Sequence, residues 1–284
     1  MILEGAIGDA YGAGFEFAER AVIEKFNHLE RYIQHPKHTD IYKKYTDDTQ
    51  MSIALVELMI EGSEWTPLNI ANKFVECFKR DPRKGYATRF YNFLLEIDNG
   101  QNLLNKIVNK SERNGAAMRA YPVGLYKNLN DVITKAEAQA VITHATDKAI
   151  ISAQAIAVIS HYFIYQLGEV SELHNFLNDT LSFEWKGKWT SKVDIDAYQT
   201  VEAVLQILLN GKNLSQMLID SVNLGGDVDT VASLVLAIAS TSDYYQNDLP
   251  NFLYEDLENE TYGRDYIQKL DKDLEIFLTK QQAI

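Results

Sequence analysis

A single cysteine, Cys77, occurs among 284 residues. That excludes an internal disulfide and, with it, the cysteine-based zinc and redox sites. Lying in a helical stretch, Cys77 reads as a small core residue. Only five prolines occur, and no Pro/Gly-rich tract, fixed-period repeat or low-complexity run marks a place to divide the chain. Basic residues are also scarce, 27 Lys and Arg against 40 Asp and Glu, for a formal net charge of −13. This argues against non-specific nucleic-acid binding, which depends on cations neutralising phosphates. It leaves open a nucleic-acid acceptor held at one pocket. No apolar run approaches the roughly 20 residues that span a bilayer, and no basic-then-apolar segment opens the chain. The expectation is a cytoplasmic protein without a membrane partner.

Apolar residues make up 46% of the chain, enough for a sizeable core, and their spacing is helical with few strand-like alternations. The pattern predicts a first helix over 3–12, in which Gly8 and Gly12 share one face and permit close backbone approach. Further helices are expected after Asp48 and over 67–80, where Thr66-Pro67 is a cap followed by proline at the first helical position. Others are expected over 84–96, 115–127, 131–143, 147–166, 195–210, 213–222, 228–240 and 260–279. Residues 180–192 read as an irregular loop.

Two acidic knots stand out. Thr46-Asp47-Asp48-Thr49 and Gly225-Gly226-Asp227-Val228-Asp229-Thr230 each precede a run that is apolar nearly all round a helix, the mark of a helix in the middle of a core. Each knot alone also reads as a helix cap, since Thr and Asp are preferred there and the dipole favours Asp in a first turn. What capping leaves unexplained is four carboxylates at a core border, where they repel one another and lose solvation; two divalent cations would compensate them. An EF-hand is excluded, because Val231 and Ala232 stand where an oxygen ligand and glycine are needed. The late position of the second knot, behind two glycines, also contradicts a haloacid dehalogenase-type phosphatase. The knots lie about 180 residues apart, so one shared site requires one core. The expected fold is therefore all-α, a single compact multi-helix domain over 1–284.

A third piece is Gly8-Asp9-Ala10-Tyr11-Gly12-Ala13-Gly14-Phe15-Glu16, which is neither a dinucleotide fingerprint nor a P-loop. Glu16, between Phe15 and Phe17, reads as either a snorkelled surface group or a functional acid. His144, beside a small-residue helix, reads as a satisfied buried side chain or a ligand-side group. His35-x-x-His38 in a polar loop reads as surface. Tyr86, Phe90 and Tyr91 read as core packing, with stacking on a base as the alternative.

Together these pieces resemble the ADP-ribosylglycohydrolase family over nearly the whole chain. Gly5–Gly12 with Glu16 is similar to the family's first helix and its glutamate, and Thr46-Asp47-Asp48-Thr49-Gln50 to its first metal motif. Asn114-Gly115-Ala116-Ala117-Met118-Arg119, followed by Pro122-Val123-Gly124-Leu125, resembles its ADP-ribose-side motif. Thr143-His144 resembles its Thr-His pair, and Asn223–Thr230 its second metal motif. Departures are Val228, where the family usually has Thr, and Leu236, Ser240 and Thr241, where glycines are frequent.

The resemblance implies a hydrolase that frees ADP-ribose from a protein side chain or another acceptor at the anomeric carbon, through an oxocarbenium-like state. It implies two Mg²⁺ ions, with Mn²⁺ able to substitute, held by Thr46, Asp47, Asp48, Asp227, Asp229 and Thr230. Glu16 would ligate an ion or handle a proton, and Asp98 in Asp98-Asn99-Gly100 loosely matches a loop assigned a general base. Asn114, Gly115, Ala116, Met118 and His144 would contact ADP-ribose, with the diphosphate on backbone N–H groups at a helix start. A non-catalytic ADP-ribose-binding or toxin-neutralising protein is the alternative. The acceptor linkage, arginine, serine, another side chain or a nucleic-acid end, stays open at this stage.

Overall fold

The computed structural model describes residues 1–283. Local chemistry sets several helix starts. Thr66 Oγ1 accepts from the Asn69 N–H ahead of Pro67. Asn128, Thr146, Asp196 and Asn213 likewise cap the helices that follow them. In chain order the helices are α1 (Ile2–Ala13), α2 (Arg20–Phe26), α3 (Asp47–Ile60), α4 (Pro67–Arg80), α5 (Thr88–Leu95), α6 (Gly100–Lys106), α7 (Leu129–Thr143), α8 (Asp147–Ile164), α9 (Leu173–Leu181), α10 (Ala197–Asn210), α11 (Leu214–Leu224), α12 (Val228–Ala239), α13 (Asn251–Glu255) and α14 (Arg264–Ala283). Among the described residues no strand forms, only isolated bridges such as Val193 with Gly226.

The all-α expectation holds, and one continuous apolar core runs from Ile2 to Leu274. The helices apolar all round, α3, α8 and α12, lie inside it, and α12 is buried at every residue. The most extensive helix pairing joins α1 to α12, and two glycines make it possible. A methyl group at Gly8 would lie 2.3 Å from the Ala232 carbonyl oxygen, and one at Gly12 would lie 2.5 Å from the Asp229 Cα. The ends of the chain close on each other as well, since Asp271 on α14 accepts from the backbone N–H groups of Ile2 and Leu3 at 2.8 and 3.0 Å.

Three expectations need correction. The helix expected over 115–127 is two short 3₁₀ segments, Asn114–Ala116 and Tyr121–Leu125. Pro122 cannot donate into a helix ladder, and Gly124 lies so close to α8 that a Cβ would meet the His161 nitrogen at 2.6 Å. The helix expected from 84 starts only at Thr88, because Gly85 has φ +104°. His35, read as surface, is buried; His38 is exposed. The helices α2, α6, α9 and α13 are too short to have shown a periodic stripe.

Candidate active site

Both acidic knots sit at helix starts, and neither uses its side chain to cap. Thr46 is the N-cap of α3 and Asp227 that of α12, yet neither side chain accepts a capping bond. The start of α3 is capped from another helix. Asp9 of α1 accepts from the N–H groups of Thr46 and Thr49 at 2.9 and 3.1 Å, and from their hydroxyls at 2.9 and 2.6 Å. With capping done by Asp9, the carboxylates of Asp47 and Asp48 are left to face the interior. Asp47 fits there because Gly85 has no side chain; a Cβ at Gly85 would lie 2.0 Å from Asp47 Oδ1.

The second knot is turned by Gly225 and Gly226, with φ of +73° and +93°. A Cβ at Gly226 would lie 1.8 Å from the Val193 carbonyl oxygen, the same oxygen that accepts from the Asp227 N–H at 3.0 Å. Close contact of α1 with α12 then carries Asp229 to Asp9 and Asp48, with one oxygen of each within 4.8 Å of the others. Glu16, Asp227 and Asp229 form a second such group, sharing Asp229. Asp48 Oδ1 and Asp229 Oδ1 are buried without a hydrogen-bond partner.

The electrostatics follow from this crowding. Burial first, and neighbouring carboxylates second, push Asp47, Asp48 and Asp229 well above the ordinary carboxylate range. Asp9 is pushed up to about 6, chiefly by burial. Glu16 is pushed up to about 7 by burial and by Asp227 and Asp9. Buried carboxylates converging from three elements, with unpartnered oxygens on Asp48 and Asp229, suit hard divalent cations with oxygen ligands.

Glu16, Asp47, Asp48, Asp227 and Asp229 form the floor of a cavity of about 620 Å³. Its wall includes Asn114, Gly115, Met118 and His144, bringing those four expected ligand-side residues to the acidic cluster. Asn114 donates through Nδ2 to Asp227 and, at 3.0 Å, to Thr200 Oγ1, so its side chain holds the second knot in place. His144 lies over Gly115, where a Cβ would be 2.8 Å from the imidazole Cε1. Burial and the nearby Arg119 and Arg113 lower its pKa to about 3, keeping it neutral. Arg119 is buried without a carboxylate partner among the described residues. It donates to Gln139 Oε1 at 2.6 Å and Thr143 Oγ1 at 2.8 Å and lies 4.5 Å from the Phe74 ring centroid. Gln139 in turn donates to the Ala116 carbonyl at 2.9 Å, so Ala116 supports the wall from behind. Tyr86 and Phe90 line the cavity as well as packing with neighbouring rings, whereas Tyr91 packs on Phe78. Towards the mouth stand the exposed Arg89, Lys106, Lys110 and Arg113.

Asp47, Asp48, Asp227, Asp229, Thr230 and Glu16 all line the cavity, and Thr46 lies just behind its wall. Asp98 is not brought to it. Asp98 is exposed ahead of α6 and outside the lining. Asp9 is the member of the carboxylate cluster that sequence reasoning passed over. It stands in the first-helix motif, and its signal was an acidic residue one position after Gly8 in a helix otherwise fit for complete burial.

The fold and these motifs have relatives. ADP-ribosylhydrolase ARH3 of Xenopus tropicalis is 27% identical over 172 residues, 57% of this chain and 48% of that protein, so the match spans about half the relative's length. ADP-ribosyl-dinitrogen reductase glycohydrolase of Rhodospirillum rubrum is 27% identical over 275 residues, 87% of this chain and 85% of that protein. A solved ADP-ribosylglycohydrolase-related protein complex shares the fold with a TM-score of 0.74 at 20% identity, covering 98% of this chain and 96% of that one. The pattern of the ADP-ribosylglycohydrolase family matches residues 1–283, the same span that closes around the acidic cavity, and the chain belongs to that family.

Proposed function

We propose that this chain is a divalent-metal-dependent hydrolase that removes ADP-ribose from a modified acceptor by water attack at the anomeric carbon. One observation carries the metal: Asp48 Oδ1 and Asp229 Oδ1 are buried and unpartnered within carboxylate clusters drawn from α1, α3 and α12. Asp47, Asp48, Asp227, Asp229 and the hydroxyls of Thr46 and Thr230 would hold two ions, Mg²⁺ or Mn²⁺. When bound, the ions supply neutralising charge, orientation of the ribose hydroxyls and a more acidic water.

The chain's own residues do the rest. Asp9 locks the start of α3, so that Asp47 and Asp48 keep their direction. Asn114 does the same for Asp227 from the opposite wall. Glu16 lies beside Asp227 and Asp229, and with the ions bound their charge would favour its carboxylate form, the form a base needs. It takes a proton from the attacking water as oxygen bonds to the anomeric carbon and the bond to the acceptor breaks, and then passes that proton to the departing acceptor. The acceptor leaves protonated. With Asp98 outside the cavity, proton handling falls to Glu16. The polarity of the cavity supports ADP-ribose as occupant, because an acidic floor suits metal and ribose while Arg89, Lys106, Lys110 and Arg113 at the mouth suit the diphosphate. We place the site in the cytoplasm; no described helix is long and apolar enough to cross a membrane.

The test is release of ADP-ribose from a panel of defined linkages, arginine, serine and phosphorylated nucleic-acid ends, with Mg²⁺ and with chelator. Release from at least one linkage that stops in chelator is expected. Binding of ADP-ribose without release from any linkage would favour the non-catalytic reading.

A further inference from the structure

Glu16 does not sit on a helix. It lies in the turn after α1, and a carboxylate on a turn stays in place only if its backbone is fixed. Three contacts fix this one. The Phe17 N–H donates to the Gly226 carbonyl at 2.7 Å, tying the turn to the second acidic knot. Gly14 lies against the segment before His35, where a Cβ would meet the Ile33 carbonyl oxygen at 2.3 Å. The third contact is a side chain. His35 Nε2 lies 2.9 Å from the Glu16 carbonyl oxygen, and Nδ1 accepts from the N–H groups of Lys37 and His38 at 3.1 and 3.0 Å. Accepting two N–H groups leaves Nδ1 without a proton, so the imidazole is the Nε2–H tautomer and donates to Glu16. His35 is 4% exposed, and its ring stacks on His38 with centroids 4.7 Å apart. The held backbone is in an uncommon state, since Phe17 has φ +47°, a region that non-glycine residues occupy only where surroundings impose it.

We propose that His35 is a positioning residue for Glu16, reaching from the loop after α2 to hold the Glu16 backbone so that its carboxylate meets Asp227 and Asp229. This rests on the metal-dependent reading of the cavity. It goes beyond that reading by assigning a role to a residue outside the cavity wall and outside every metal or ADP-ribose motif.

Two substitutions separate the two ends of the imidazole. In His35→Asn the amide oxygen takes the place of Nδ1 and keeps the turn at Lys37 and His38, while the link to Glu16 is lost. In His35→Gln the amide nitrogen reaches where Nε2 stands and restores that link. His35→Asn is expected to lower kcat roughly 10-fold, a usual size for loss of an outer support, with KM within about twofold of the starting protein. Mn²⁺ affinity, read by electron paramagnetic resonance without substrate, should fall by a similar factor. His35→Gln should recover part of both. In a Glu16→Gln background, His35→Asn should change neither further. Wild-type turnover and Mn²⁺ affinity in His35→Asn would overturn the proposal, as would an equal loss in the Glu16→Gln background. The Mn²⁺ readout needs no turnover, so failure of the hydrolase reading and failure of this one are seen separately.

Discussion

At the scale of single residues, the site is a set of carboxylates that the fold forces together. A carboxyl whose pKa is raised by folding binds more protons folded than unfolded. Its stabilising contribution is complete below the unfolded value of about 4 and is lost as pH rises through the folded value. Asp47, Asp48 and Asp229 are raised well above that value, Asp9 to about 6 and Glu16 to about 7. In chelator the melting temperature should therefore fall between pH 5 and pH 8, and Mg²⁺ should flatten the slope; a flat profile in chelator would count against the crowding. Removing one carboxylate separates ligation from capping. Asp47→Ala and Asp227→Ala should each lower ADP-ribose release on the order of 10²-fold, yet melt no lower than the parent in chelator, because a crowded negative charge is gone. A lost cap predicts the reverse, about 1 kcal/mol less stability with chemistry intact. Rate and melting temperature of each variant, in Mg²⁺ and in chelator, decide between them.

At the scale of elements, the decisive contact is α1 against α12. Gly12 is the residue that admits Asp229, its absent Cβ lying where the Asp229 backbone now runs. Gly12→Ala must push the helices apart, because the obstacle is backbone and cannot rotate away. Overpacking of this kind costs about 1–3 kcal/mol, and the shift falls on a cluster that needs its oxygens in register. Denaturant melts should show that loss, with release reduced far more than the folded fraction at assay temperature. Gly85→Ala is expected to lower both release and stability, since φ +104° strains alanine and its Cβ would meet Asp47 Oδ1 and the Thr46 Cβ at 2.0 and 2.7 Å. Near-normal release from either variant would mean that the knots tolerate displacement, contrary to a rigid cluster.

At the scale of the whole molecule, the acidic cavity depends on both ends of the chain. The start of α1 is held by Asp271 on α14, and α12 supplies the second knot, so no cut through the middle leaves a complete core. Residues 1–127 and 128–284, made separately, should each give weakly helical circular dichroism and no ADP-ribose binding. The intact protein should be stabilised by its ligand. At 100 times Kd the gain is about 2.7 kcal/mol, to be read as a melting shift with Mg²⁺ present. No shift at millimolar ADP-ribose would remove the nucleotide from the proposal.

Helix content was legible in the sequence because burial period and capping chemistry are local. Thr66-Pro67, the small residues of α8 and the apolar runs after Asp48 and Asp229 each mark an element without reference to the rest of the chain. The motif residues were legible too, as residue types in an order. Three things belonged to tertiary structure alone. Asp9 caps a helix it does not precede, His35 is buried by a loop that carries no periodic signal, and Asp98 stays in solvent although its neighbours resemble a motif. In each case the deciding partner lies elsewhere in the chain or is missing. A local pattern records what a residue can do, and only the packing of distant segments decides which carboxylates lose their water and crowd together.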